Sequence, residues 1–411
     1  MRKELIIGSF QRMKSTNRSI VLNLIREKGP ISRADLAKLT KLTPPTITNL
    51  TKELLLDEFI VEQSLGESTG GRKPTLLTLN SERHHLIGVD IGSYELKVIL
   101  TNLKGEIQHS IVQTIPSPVT NDKLLSLIIN GISTMKNAAP KPEKLMGIGV
   151  AMHGIVDVSK GESIFAPNLN LHHIPIKEIL EEEFGVMVIV ENDARAIAHG
   201  YQWFIHEKST QNLACINVGR GIGAGLIIDG ELYLGHDFIS GEIGHMMIDL
   251  QGPICSCGNK GCLQAFATGP AIAEKMRLKL RQGETSLLSS MLNGDTEEAI
   301  TGELVFKAAK AGDLLAQQVL SETGEYLGIG LTNLIHIINP EKIVLSGGVI
   351  QASEFLLGSV RETIQRRALT EKAKRTEITV SSFGSYATVL GAVSLISREL
   401  FSTFSRSNKK E

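Results

Sequence analysis

No apolar run in the 411 residues approaches the roughly 20 that a membrane-spanning helix needs. The opening Met1-Arg2-Lys3-Glu4 leads only into a short apolar stretch, Leu5-Ile6-Ile7, with no signal-peptide cleavage pattern. A cytoplasmic protein without a membrane partner is the expectation. Cysteine is scarce, with four in all, and three of them (Cys255, Cys257, Cys262) fall within eight residues. Clustered cysteines near a histidine, in a chain with no export signal, argue against a disulfide framework and for a metal. Cys215 stands alone in an apolar strand and reads as a small core residue rather than a nucleophile.

An excess of charge is also missing: 43 Lys+Arg stand against 44 Asp+Glu, a net charge of −1. The charge is unevenly placed. Residues 1–80 carry 13 basic and 8 acidic side chains, the remainder 30 and 36. A basic head on an acidic body fits a DNA-binding module joined to a metabolite-binding one. The 42% hydrophobic content is ample for two or three cores.

The head has helix-turn-helix punctuation. A first helix is predicted from Ser15 to Lys28, with Ile20, Leu24 and Ile25 on its buried face and Gly29-Pro30 ending it. Ser32 then caps a second helix, with Asp35 as capping-box partner and Leu36 and Leu39 facing inward. Thr43 is a natural N-cap for a third helix running from Pro44, at the first helical position, to about Asp57. Its core face holds Ile47, Leu50 and Leu54, leaving Thr46, Thr48, Asn49 and Lys52 for base edges and phosphates, with Arg33 nearby. Phe59–Glu62 and Thr75–Leu79 read as a hairpin whose Gly-rich tip carries Arg72 and Lys73 toward DNA. Three helices and a basic wing predict a winged helix-turn-helix.

From Leu86 the pattern changes to buried strands alternating with helices. Leu86–Gly92 ends in Asp90-x-Gly92, Leu96–Leu100 returns antiparallel, and a third strand starts at Ile107. A second set begins at Ala214–Val218, runs into the glycine-rich loop Gly219-Arg220-Gly221-Ile222-Gly223, and ends near Ser346-Gly347-Gly348. Two α/β lobes, each offering a strand-to-glycine-loop element, are implied.

The ordered set Asp90-x-Gly92, Glu191-Asn192-Asp193, the glycine loop, Gly241-Glu242-x-Gly244-His245, Cys255-x-Cys257-Gly258-x-x-Gly261-Cys262 and Ser346-Gly347-Gly348 resembles the ROK family of repressors, open reading frames and kinases. The likeness covers residues 86 to about 400. With the winged helix in front, the whole chain resembles the family's repressor branch, which includes the xylose and N-acetylglucosamine repressors. The resemblance implies an α/β chain in which a winged helix-turn-helix, residues 1–80, precedes a two-lobed, actin-like ATPase fold. Lobe 1 would span 81–195 and be completed by a C-terminal helix in 386–411; lobe 2 would span 196–385. It further implies a structural zinc held by His245, Cys255, Cys257 and Cys262, the closed thiolate and imidazole set that zinc prefers. Asn168, Asn192, Asp193, Glu242, His245 and Gln264 would bind the sugar, and in a kinase Asp193 would take the proton from the attacked hydroxyl.

The chain departs from the kinase branch at three places. Gln264 replaces the glutamate of Cys-x-x-Gly-Cys-x-Glu, Arg220 replaces a threonine of the second glycine loop, and Ser93-Tyr94-Glu95 replaces the Gly-Thr of the first. Bulk and an anion beside a triphosphate oppose phosphoryl transfer, which depends on positioning. The expectation is therefore a repressor, not an enzyme: a dimer or tetramer on a double-stranded operator of carbohydrate-utilisation genes, governed by a sugar or sugar phosphate, with no role for ATP and Mg²⁺. The alternative is an ATP-dependent sugar kinase with an appended DNA-binding head.

Overall fold

The computed structural model describes residues 16–63, 75–205, 210–292 and 296–401. Helix α1 occupies residues 16–28, followed by β1 (Ile31–Ser32), α2 (Arg33–Thr40), α3 (Pro44–Leu56), β2 (Ile60–Gln63) and β3 (Leu76–Leu79). Both predicted caps form: the Ser32 hydroxyl accepts from the Asp35 amide, and Thr43 accepts from the Thr46 amide. The Ser32 hydroxyl in turn donates to the Asp35 carboxylate at 2.7 Å. The three strands make a small antiparallel sheet in the order β1-β3-β2, so helices and sheet form the expected winged helix. Its core differs in detail from the sequence reading. Val21, Leu22 and Ile25 are buried while Ile20 is 43% exposed, and Leu39 is 47% exposed. The buried stripe of α1 is thus turned by about one residue.

The body holds two five-stranded sheets of matching plan. In the first, β4 (His85–Ile91), β5 (Glu95–Asn102) and β6 (Ile107–Thr114) form an antiparallel meander. After α4 (Asn121–Ala138), β7 (Leu145–Met152) lies on the far side of β4. A small sheet of β8 (Ile155–Asp157), β9 (Glu162–Ala166) and β10 (Leu171–Ile174) follows, then α5 (Ile176–Phe184) and β11 (Met187–Asn192), giving the order β11-β7-β4-β5-β6. After α6 (Asp193–Phe204), the second sheet repeats the plan with the meander β12 (Leu213–Val218), β13 (Ile222–Ile228) and β14 (Glu231–Leu232). Helices α7 (Gln264–Ala267), α8 (Gly269–Arg281), α9 (Leu288–Met291), α10 (Gly302–Lys310) and α11 (Leu314–Ile338) come next. Then β15 (Lys342–Ser346), α12 (Ser353–Arg367), α13 (Glu371–Lys374), β16 (Glu377–Val380) and α14 (Ala387–Phe401) complete the order β14-β13-β12-β15-β16, in which β15 runs parallel to both its neighbours.

The chain divides into two compact units. One takes residues up to 150, 175–190 and those from 392; the other takes 151–174 and 191–391. The sequence reading places lobe boundaries at 195/196 and 385/386, with a C-terminal helix in 386–411 completing lobe 1. The compact units change over at 150/151, 174/175, 190/191 and 391/392, with the C-terminal segment in the first unit. Packing explains this: α6 lies against β12 and β13, where a Cβ on Gly225 would sit 2.5 Å from that of Ala198. Residues from 392 join the first unit because β7 has glycines where α14 crosses it. A Cβ on Gly149 would come within 1.9 Å of the Ala392 carbonyl oxygen.

The winged helix is anchored within the first unit. Phe59 stacks on His84 at 4.5 Å, and Glu58 pairs with Arg83 at 2.6 Å and Lys144 at 2.8 Å. The Asn23 carboxamide donates to the Phe401 carbonyl, whose ring lies 5.4 Å from the Arg26 guanidinium. Among the described residues no helix is long and apolar enough to cross a membrane.

Candidate functional site

The reading face of α3 is set by which polar groups the fold has already used. The Thr46 hydroxyl bonds that of Thr43 at 2.8 Å, and the Thr48 hydroxyl donates to the Pro44 carbonyl at 2.9 Å. Both are occupied within the helix, leaving mainly their methyl groups outward. Arg33 is a brace as well: its Nε donates to Thr51 at 3.1 Å and its Nη2 to Glu62 at 2.6 Å. Asn49 and Lys52 are exposed. Of the sequence-selected residues on this face, these two keep a long polar side chain for a duplex. Arg72 and Lys73 lie outside the described residues.

The second cluster is built in the second unit around the start of α6. Asn192 is its N-cap: Oδ1 accepts from the Ala194 and Arg195 amides at 3.0 and 3.2 Å, and Nδ2 donates to the Gly154 carbonyl at 2.9 Å. One N–H of its amide remains for a ligand. Asp193 Oδ2 accepts from Asn217 Nδ2 at 3.0 Å, while Oδ1 faces the Ala194 amide. Asn217, near the end of β12, escaped the sequence reading because a lone asparagine in an apolar strand carries no motif.

Glu242 is placed by Gly241, whose φ of +92° and close approach to the Ala224 carbonyl, 1.9 Å from a built Cβ, exclude any side chain. Desolvation of its carboxyl, then the neighbouring Asp193, raises the Glu242 pKa to about 6, opposed by Arg195. The residue keeps an exposed surface, which tempers that rise. Beneath it, Arg195 is buried and pairs with the equally buried Glu191 at 2.7 Å, while its Nη1 donates to the Phe238 carbonyl at 2.7 Å. Arg195 is a second residue the sequence reading missed: it anchors the loop leading to Glu242. Asn168 lies exposed in the turn between β9 and β10.

His245, Cys255, Cys257 and Cys262 do converge, with one ligand atom from each lying within 4.8 Å of all the others. The Cys257–Cys262 sulfurs are 3.8 Å apart, as are Cys255 Sγ and His245 Nδ1. A tetrahedron with zinc–sulfur bonds of about 2.3 Å has edges of about 3.8 Å, so the spacing fits that ion. N–H donation by the Asn259 backbone, aided by the neighbouring thiols and His245, draws the Cys257 thiol down to about 6. Burial, with the neighbouring Cys257 and Cys255 sulfurs, pushes Cys262 up to about 12, a penalty that bonding to a cation offsets. Burial also raises the Cys215 thiol far above its ordinary value, as suits an inert core residue. If His245 binds through Nδ1, its other ring nitrogen is left for a hydroxyl.

Each glycine loop is the turn of a β-hairpin with one of its amides paired inside the turn. The Gly92 amide donates to the Glu95 carbonyl at 2.9 Å and the Ile115 amide to the Tyr94 carbonyl at 2.6 Å, with Tyr94 51% exposed. The Gly219 amide donates to the Gly221 carbonyl at 2.9 Å. The Gly92 and Gly219 amides are thus already used within their turns.

A winged helix-turn-helix DNA-binding profile matches residues 16–61, and the ROK family profile matches residues 86–399. The chain belongs to the ROK family. The xylose repressor of Caldicellulosiruptor bescii is 33% identical to this ROK chain over 397 residues, 96% of this chain and 99% of that one. The N-acetylglucosamine repressor of Escherichia coli O6:H1 is 31% identical over 396 residues, covering 96% and 95%. A crystal structure of a ROK family transcriptional regulator, a homolog of the E. coli MLC protein, matches with a TM-score of 0.82 at 31% identity, covering 95% of this chain and 97% of that one. The winged helix and the ROK body are thus both matched in proteins of the same length and order.

Proposed function

We propose that this ROK chain is a sugar-responsive transcriptional repressor of carbohydrate-utilisation genes. The observation that carries the reading is the pairing of an exposed reading helix with a body that retains Asn192, Asp193, Glu242 and His245 while its glycine loops carry Ser93-Tyr94-Glu95 and Arg220. Residues up to about 80 act as the reading head. Asn49 and Lys52 meet the major groove and its phosphates, and a dimer places two heads on half-sites one or more helical turns apart. A sugar or sugar phosphate is held by the Asn192 amide, the Asp193 and Glu242 carboxylates and the free nitrogen of His245. Zinc on His245, Cys255, Cys257 and Cys262, when bound, supplies a closed structural cross-link that fixes the loop carrying Glu242. The protein works in the cytoplasm.

Repressors named for different sugars, xylose and N-acetylglucosamine, stand at nearly equal identity, so likeness does not choose the effector. The deciding test is a thermal-shift screen of the zinc-loaded protein against free sugars and sugar 6-phosphates, with and without Mg-ATP. A ligand at 100 times its Kd adds about 2.7 kcal/mol of stability. Stabilisation by one sugar independent of ATP supports the repressor. Stabilisation that requires ATP, followed by sugar phosphorylation lost in Asp193→Asn, favours a kinase.

A further inference from the structure

Gln264 stands where the ROK kinase signature has a glutamate, and the sequence reading assigned it to the sugar. Its carboxamide nitrogen is turned toward the cysteine cluster. Nε2 donates to Cys255 Sγ at 3.2 Å and to Ser256 Oγ at 3.1 Å. The carbonyl end abuts two glycines: a Cβ on Gly244 would meet Oε1 at 3.1 Å, and one on Gly221 at 3.6 Å. The amide end is therefore held at the metal cluster, while the carbonyl end lies beside Gly244 and Gly221.

The chemistry of the cluster explains why an amide serves here. Three thiolates and a neutral imidazole around a divalent cation carry a net charge of −1, which N–H donors to sulfur disperse. Cys257 has such donors from Asn259, whose Nδ2 lies 3.6 Å from Sγ and whose backbone N–H also bonds it. For Cys255 the amide donor is Gln264. A glutamate at 264 has no hydrogen to give at neutral pH and would set an anion beside the thiolate, so it must turn away. Exchanging carboxylate for amide reverses that preference.

We propose that Gln264 serves the metal rather than the sugar. It is a positioning residue whose N–H holds the Cys255 thiolate. The inference rests on the zinc reading of the cluster, and the experiment separates the two. Full-length wild type, Gln264→Glu and Gln264→Leu are loaded with Zn²⁺ and titrated with a competing chelator, then loaded with Co²⁺ for absorption spectra. Glutamate is nearly isosteric with glutamine, so at least one variant keeps the packing.

Both variants should bind Zn²⁺ about 10- to 100-fold more weakly, the range for loss of a group that supports a metal ligand. The cobalt–thiolate charge-transfer band should move to lower energy, because a thiolate without its N–H donor is easier to oxidise. A merely structural role for Gln264 would leave that band in place. Wild-type zinc affinity and an unmoved band in both variants overturn the proposal while the zinc reading stands. A wild-type chain that takes up neither metal overturns both together.

Discussion

Replacing Arg195 by Met should damage the second unit out of proportion to the atoms removed. Glu191 and Arg195 have side chains only 4% and 3% exposed and meet at 2.7 Å. The methionine leaves the Glu191 carboxylate buried and uncompensated, and frees the Phe238 carbonyl. Breaking a buried pair from one side costs about 3–5 kcal/mol, mostly the penalty of the stranded charge. For a unit of this size each 1 kcal/mol moves the midpoint by about 2–4 °C, so a fall of about 10 °C is expected by scanning calorimetry. Glu191→Gln combined with Arg195→Met removes the stranded charge. The buried Arg195 Nη2, which has no hydrogen-bond partner among the described residues, loses nothing in the exchange. The double variant should therefore melt well above the single one, and the two changes should be strongly non-additive. Its effector affinity should stay low, because the Phe238 anchor is still missing. A single variant within 2 °C of wild type, or a double variant as unstable as the single, would refute the charge argument.

Other consequences follow from the same geometry. Asn49→Ala should weaken binding to the preferred duplex by about 1–3 kcal/mol and relax base preference, read by fluorescence anisotropy on a selected sequence and its point variants. Lys52→Ala should weaken all duplexes alike and lower the slope of log affinity against log salt by about 0.9. The folded-state pKa of Glu242, about 6, lies above the ordinary 4.5, so the folded chain takes up a proton in that window. Ionising Glu242 therefore costs folding stability above it, while a hydroxyl that needs the anion as acceptor binds best above pH 6. Effector affinity measured by calorimetry should fall as pH drops through 6, and Glu242→Gln should flatten that profile. Thr43→Ala, which removes the cap of α3, should destabilise the winged helix by about 0.5–2 kcal/mol and weaken DNA binding; unchanged melting would contradict the capping role.

Motifs that act locally are legible in the sequence. Ser32 and Thr43 cap as their spacing demands, and the three cysteines meet His245 because the glycines between them permit tight turns. The apolar strands Leu86–Gly92 and Ala214–Val218 fall in matching places in the two sheets. What stayed hidden depends on contacts distant in sequence. Ile20 fits the helical period, but packing chose Val21 and Leu22 instead. Arg33 sits in the right segment to touch DNA, yet Glu62, brought near by the β2–β3 ribbon, claims its guanidinium. Gln264 is read from sequence by analogy with a glutamate, and its bond to Cys255 Sγ could not be foreseen because an amide can donate to sulfur where a carboxylate cannot. Arg195 and Asn217 belong to no local pattern; only the burial of one and the reach of the other to Asp193 give them meaning.

The central claim is that one chain reads DNA and answers to a sugar without phosphorylating it. The most direct measurement selects duplexes from a random library with the zinc-loaded full-length protein at physiological salt. The selected duplex is then titrated with candidate sugars, with and without Mg-ATP, while sugar phosphate production is followed in the same tubes. The account predicts a selected palindromic sequence whose affinity changes with one sugar or sugar phosphate, equally with or without ATP, and no turnover. No sequence preference, or ATP-dependent sugar phosphorylation that accompanies the response, would contradict it.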